Sequence, residues 1–487
     1  MSDDNPLAGG DIGSVHGEDV VIQNAAVISS EITTNHSDIP TVPLRREDGE
    51  EITASALGGA STQSAARMYD FTNIPFAGGD GTHSILSVLF GAHSIGEGIF
   101  GFINMIDSNK IRVQCVECRK AVMDFPWMDS ESFIKGSVEE WRASFPCARA
   151  VNVSQRSHIV DADFVHIRGD ARVRLHTVDM SRCRKVTDAA FVHLRGIHTL
   201  NMSFCNQPTI TDAAFVHLRG IHTLEMQQCD QETITDAAFV HLRGIHTLIM
   251  WDCNQETITD AAFIHLRGIH TLDMANCSQV TITDAAFVHL RGIHTLDMIG
   301  CSQETITDAA FVHLRGIHTL KMSNCNQETI TDAAFVHLHG IHTLEMRGCN
   351  QETITDAAFV HLRGIHTLDM QECNQLTITD AAFVHLRGIH TLDMSYCNQL
   401  TITDAAFVHL RGIHTLKMWG CNQVTITDAA FVHLRGIHTL IMNECSQATI
   451  TGAVFKNLCG IGRLSTEGCS LAVRVTAAAL RARLPMP

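Results

Sequence analysis

The chain has 487 residues, is 45% hydrophobic but only 6% aromatic, and carries a formal net charge of −17 at pH 7. That length holds two or three ordinary domains, and the acidity opposes binding to nucleic-acid phosphates, which needs a clustered basic face that the sequence does not offer. The start, Met1 to Pro6, has neither a basic nor an apolar leader region, and no apolar run approaches the roughly 18 residues of a membrane span, so a soluble intracellular protein is expected.

Residues 1–80 are rich in Asp, Glu, Ser, Thr and Gly and have no sustained period, which predicts a disordered acidic tail. From Ser84 to Trp127 the apolar content rises, with Ile85, Leu86, Val88, Leu89 and Phe90, then Ile99, Phe100, Phe102, Ile103 and Ile106. Their spacing predicts a small helical module over 81–130. Residues 131–158, carrying Trp141, Phe145 and Cys147, are expected to link that module to the next and cap its open end.

Across 159–487 one unit dominates. Thr-Ile-Thr-Asp-Ala-Ala-Phe-Val-His-Leu-Arg-Gly-Ile-His-Thr-Leu-x-Met-x-x-Cys-x-Gln-x recurs every 24 residues from about Cys205 to Cys445. Self-similarity at such a period marks a solenoid, whose function sits on a surface and not in a pocket. Phe164, Phe191 and every 24th residue from Phe215 to Phe455 mark thirteen units.

The unit from Leu410 to Leu434 shows two periods. Leu416 and Met418 alternate on a short strand near Thr415 to Trp419 that turns Thr415, Lys417 and Trp419 outward. Asp428 is placed to cap a helix of about two turns, Ala429 and Ala430 favour it, and Gly436 suits a left-handed C-cap. Phe431 and Leu434 form its buried stripe, leaving Val432 and His433 nearer solvent. At about 4.8 Å per strand, thirteen strands make a concave parallel sheet on the order of 60 Å long. Gly452, Lys456, Asn457 and Gly462 replace the usual residues at the far end, where Val475 to Leu480 forms a closing half-unit.

Twelve of the seventeen cysteines form one column at 24-residue steps from Cys205 to Cys469. An odd total without a secretory signal predicts reduced thiols.

The combination Leu-x-x-Ile-x-x-Leu-x-Met-x-x-Cys followed by Ile-Thr-Asp-Ala-Ala-Phe resembles the cysteine-containing leucine-rich repeats over 160 to about 480. Most units insert two residues between the Cys and the Ile-Thr-Asp, whereas Cys183 to Asp188 keeps the shorter family spacing. The stretch Ile99-Phe100-Gly101-Phe102-Ile103 through Asp107 to Cys118-Arg119-Lys120 looks like an F-box, without the usual Leu-Pro opening. Together these parts are similar to substrate-recognition subunits of Skp-cullin-F-box ubiquitin ligases. The resemblance implies an α/β leucine-rich-repeat solenoid behind a small all-α module, with Ile99, Phe100, Phe102 and Ile103 docking a Skp-type adaptor and the solenoid holding a protein target.

Variation within the units gathers between the strand Leu and the next Thr-Ile-Thr-Asp. One outward column reads Asn201, Glu225, Ile249, Asp273, Asp297, Lys321, Glu345, Asp369, Asp393, Lys417 and Ile441, and is mostly acidic. The next includes Gln227, Trp251, Ile299, Arg347, Gln371 and Trp419, the aromatic and Arg mixture that recognition surfaces use. A target with a basic or mixed surface is expected on this concave face. Duplication of one unit followed by drift at tolerant positions is the competing explanation.

Thirty histidines include two ladders, one through His193, His217 and His433 and one through His198, His222 and His438. Metal binding needs convergent ligands, which two such positions per unit do not supply, so surface repeats are expected and no metal. Full protonation moves the formal charge from −17 to +13, predicting instability in mild acid. Cys115-x-x-Cys118, with Cys147 and His158, is a weak zinc pattern beside the reading of apolar cysteines on a buried helix. No phosphate loop, nucleophile elbow or zinc-protease helix appears, so the chain is expected to be no enzyme and to need no cofactor. A stand-alone interaction scaffold without a ligase link is the alternative, and a His-rich metal or pH sensor a third.

Overall fold

The computed structural model describes residues 105, 108, 112, 116–134, 136–168, 174–458 and 460–481. The chain divides into two compact units, Met1–Ala121 and Val122–Pro487. The expected tail, most of the helical module and the adaptor-docking Ile99, Phe100, Phe102 and Ile103 lie outside the described residues.

The second unit is a solenoid because each coil alternates a three-residue strand with one short helical segment, and the coils stack in sequence order. Fourteen strands, from Ala150–Asn152 to Arg463–Ser465, pair parallel as one sheet among the described residues. The register is strict, with Thr271, Leu272 and Asp273 opposite Thr295, Leu296 and Asp297. That is one strand more than the Phe markers predict. The additional strand, Ala150–Asn152, lies in the segment expected only to cap the array, and it pairs with Thr177–Asp179.

Between sheet and helices runs a continuous, largely apolar interior. Each full coil contributes residues equivalent to Ile282, Ala286, Phe287, Leu290, Ile293, Leu296, Met298 and Cys301, all buried. A helical segment of four α residues, such as Asp260–Phe263, passes into three 3-10 residues, Ile264–Leu266. So few residues form a stable helix only by packing this stripe on both neighbours.

The local signals differ in detail from expectation. The N-cap is the Thr before the Asp: Thr283 Oγ1 accepts from the Ala285 N–H at 3.1 Å. The Asp is the first helical residue and reaches the next coil, where Asp284 Oδ1 accepts from the Thr307 N–H and Oδ2 from its hydroxyl, both at 2.7 Å. Thr wins the cap because the Asp carboxylate already has two donors across the coil boundary. Gly436, at φ 82°, directly follows the C-cap residue Arg435, in the left-handed conformation expected there. With Arg435 at φ −58°, ψ 128° and the Ile437 N–H donating to Leu434 O, it fills the third position of a type II turn, where a positive φ is required.

Both ends are closed by atypical elements. Helix Val138–Ser144 carries a Ser137/Glu140 capping box and is stapled to helix Asp163–Arg168 by the buried Arg142, whose guanidinium donates to the carbonyls of Phe145, Ala148, His166 and Ile167. Burial holds that guanidinium down at about 10. At the other end, helix Leu471–Arg481 covers the last coil with Val473 and Ala477. No helix among the described residues is long and apolar enough to cross a membrane.

Candidate recognition face

In eleven of the fourteen strands the residues are half-buried, buried, half-buried, so the middle apolar residue enters the core while the flanking residues face the inner wall; Ala150–Asn152, Thr391–Asp393 and Arg463–Ser465 depart from this. The columns predicted from sequence follow from this. Glu225, Ile249, Asp273, Asp297, Lys321, Glu345, Asp369, Asp393 and Lys417 stand in register at the last strand position. Gln227, Trp251, Ile299, Arg347, Gln371 and Trp419 follow two residues later, where the backbone ladder continues, as in the Met226 N–H donating to Ile249 O and the Gln228 N–H to Trp251 O.

The acidic preference of the first column has a local cause. Oδ1 of Asp273, Asp297 and Asp369 accepts from the N–H two residues on, at 3.0–3.1 Å, closing an Asx turn at the strand exit. Asn201 does the same. In Asn201 and Asp393 the same oxygen also accepts the hydroxyl of the serine two residues on, Ser203 and Ser395, and Asp393 is only 8% exposed. Its expected display on the surface is thus corrected: Asp393 lies buried beside Lys417 of the next coil.

In-register carboxylates repel. Asp273 faces Asp297, and Asp369 faces Asp393. Burial pushes the Asp297 carboxyl up to about 6, Asp273 adding to the shift while the Ile299 N–H and Lys321 oppose it. Burial likewise raises Glu225, Asp273 and Asp369. The two lysines of the column are internal counterions: Lys321 lies 3.8 Å from Asp297 and 3.6 Å from Glu345, and Lys417 lies 3.3 Å from Asp393.

A third column was not singled out from the sequence. The residue after each second-column position has a positive φ, as in Arg182, Phe204, Asp252, Gly300, Gly348, Glu372, Tyr396 and Gly420. The recurrent Gly at 300, 348, 420 and 468 was the available signal. Bulky Phe204 at φ 61° and Tyr396 at φ 59° are unfavourable there, and such outliers concentrate at ligand-holding sites. Both are gathered into clusters. Arg182 lies 4.3 Å over the Phe204 ring, which meets Trp251 edge-on at 6.1 Å. Tyr396 stacks with Trp419 at 6.2 Å, and Gly420 permits it, because a Cβ there would fall 2.5 Å from the Tyr396 ring. Arg347 pairs with Glu372 at 2.6 Å.

The remaining candidates separate. The described cysteines from Cys147 to Cys469 are free thiols, and no group of three or more His, Cys, Asp or Glu among the described residues is placed to hold a metal. Cys115 lies outside the described residues.

No protein-family model matches the sequence, and a search of curated proteins finds no match. Solved structures do match. The structure of the Toll–Spätzle complex from Drosophila aligns with a TM-score of 0.52 and 13% identity over 69% of this chain and 49% of that one. A TLR13–ssRNA13 complex gives 0.40 and 15% over 66% and 55%, and the yeast Rad7–Elc1 complex 0.33 and 14% over 72% and 96%. The chain spans about half the length of the Toll chain it matches. With its ordered parallel strands, short outer helices and one continuous interior, this chain has the leucine-rich-repeat solenoid fold.

Proposed function

We propose that the protein is a non-enzymatic recognition subunit. Its solenoid holds a protein target along the inner wall, and its amino-terminal segment presents that target to a ubiquitin ligase through a Skp-type adaptor. The observation that carries the target half is the pair of aromatic clusters, Phe204–Trp251 and Tyr396–Trp419, at opposite ends of an acid-rich strip. Trp251 and Trp419 are seven coils apart, roughly 34 Å at strand spacing. A target with apolar side chains at that separation and basic residues between them fits this wall. Buried aromatic anchors dominate such interfaces, and the desolvated carboxylates between them favour cations over neutral groups.

The ligase half rests on the F-box resemblance of Ile99 to Lys120. The full chain is expected to pull down a Skp-type adaptor. The I99D/F100D double variant should lose the adaptor while keeping a target, and W251A/W419A should lose at least thirtyfold in target affinity, about 2 kcal/mol, while keeping the adaptor. Loss of neither sinks both halves. Target binding without an adaptor leaves the stand-alone scaffold.

A further inference from the structure

The outer edge of the solenoid carries a second ordered array, and it corrects the expectation that no clustered basic face exists: stacking brings arginines 24 residues apart into one row despite the overall acidity. Arg195, Arg219, Arg243, Arg267, Arg291, Arg315, Arg363, Arg387, Arg411 and Arg435 occupy one position of eleven successive coils, interrupted only by His339. All ten are exposed. In nine of them Nε donates to Nδ1 of the next coil's His, from Arg195 to His217 through Arg411 to His433, at 3.0–3.3 Å.

This bond fixes each guanidinium plane and consumes one of its five N–H groups. From Arg195 to Arg387 the terminal amino groups have no acceptor among the described residues. The nearest acidic row does not occupy them either, since Asp188, Asp212 and their equivalents give both carboxylate oxygens to the next coil's Thr. Beside the arginines runs an aliphatic row, Val216, Val240, Ile264, Val288 and Val312, each 41–45% exposed.

We propose that this edge is a docking surface for an acidic amphipathic helix lying along the solenoid axis. Two observations select that occupant. The coils repeat at about 5 Å, close to the 5.4 Å pitch of an α-helix, so one carboxylate per turn meets one guanidinium per coil. The aliphatic row takes the helix's apolar face. Single-stranded nucleic acid, the other polyanion such a row attracts, stacks its bases on open aromatic faces, whereas the rings of this row are imidazoles tied to the arginines beside an aliphatic row that suits an apolar helix face.

The experiment measures binding of a fluorescent 21-residue helical peptide, with one Glu per turn beside a Leu stripe, to the full chain. Binding is expected, at least tenfold weaker for R243Q/R267Q/R291Q, about fivefold weaker for I264T, and unchanged for the inner-wall variant D273K/D297K. Should the triple variant not fold, as read from its thermal midpoint, R267Q and R291Q singly are each expected to weaken binding two- to threefold. Unchanged affinity in the arginine variants overturns the proposal. So does a 20-nucleotide oligothymidine that binds more tightly than the peptide with the same arginine dependence.

Discussion

The cysteine column is decided by one bond per residue. Each thiol donates across the coil boundary to the carbonyl of the preceding coil's Met, as in Cys277 to Met250 at 3.2 Å and Cys301 to Met274 at 3.1 Å. A Ser has the donor but not the apolar bulk, and a Val has the bulk but not the donor, so Cys suits a buried position beside a carbonyl that otherwise accepts only the N–H of its own coil's Cys, as Met250 does from Cys253. Burial pushes Cys205, Cys277, Cys349 and Cys421 up to about 12, and Cys301 and Cys397 well above the usual thiol range. The nucleophilic thiolate is then scarce even at alkaline pH. Iodoacetamide at pH 8 is expected to label the half-buried Cys147 while leaving Cys205 to Cys445 unmodified until the chain is unfolded, as read from peptide masses. Labelling of the column in the native protein would contradict this account.

At the scale of the element, a helix of four α residues survives through the boundary between coils and not through its own hydrogen bonds. Thr caps it, and the adjacent Asp ties its start to the next Thr, so one Thr-Asp pair serves two coils. D284A removes acceptors for both the N–H and the hydroxyl of Thr307. The expected cost is about 1–2 kcal/mol, with D284N losing roughly half as much because its remaining oxygen still accepts the N–H. Urea denaturation measures both. Equal losses would mean that the N–H bond kept by Asn contributes little. The two-residue insertion after the Cys is explained at the same scale: it turns Gln255 and its equivalents inward, where Nε2 donates to the carbonyl of the preceding coil's Cys229 at 3.1 Å.

For the whole molecule, the consequence of repetition is electrostatic. Twelve imidazoles from His176 to His438 stack face to face at 4.3–4.6 Å. Within them, desolvation first and neighbouring imidazolium charge second lower His222, His294 and His366 from 6.5. In the outer ladder, desolvation and then the preceding coil's Arg lower His217, His241 and His265. With folded values below 6.5, the unfolded chain binds more protons, so stability falls as pH drops from neutrality through that value. Asp297 acts oppositely: raised from 3.8 to about 6, it takes up protons on folding and favours the native state as pH falls through 6. The histidines outnumber the raised carboxyls, so the thermal midpoint is expected to be lower at pH 5 than at pH 7, and scanning calorimetry reads it. An unchanged midpoint would deny the ladders any net proton linkage.

From the sequence alone, the 24-residue period determined the solenoid, the buried Phe, Leu, Met and Cys positions and the two outward columns, because a side chain's place in a stacked coil depends only on its place in the unit. Contacts between coils were decided by the tertiary structure. The Thr cap with its Asp reaching onward, the left-handed column that gathers Phe204 and Tyr396, and the Arg–His edge each join residues 22 to 47 apart. The period says that such residues are neighbours; only the stacked backbone fixes which donor meets which acceptor.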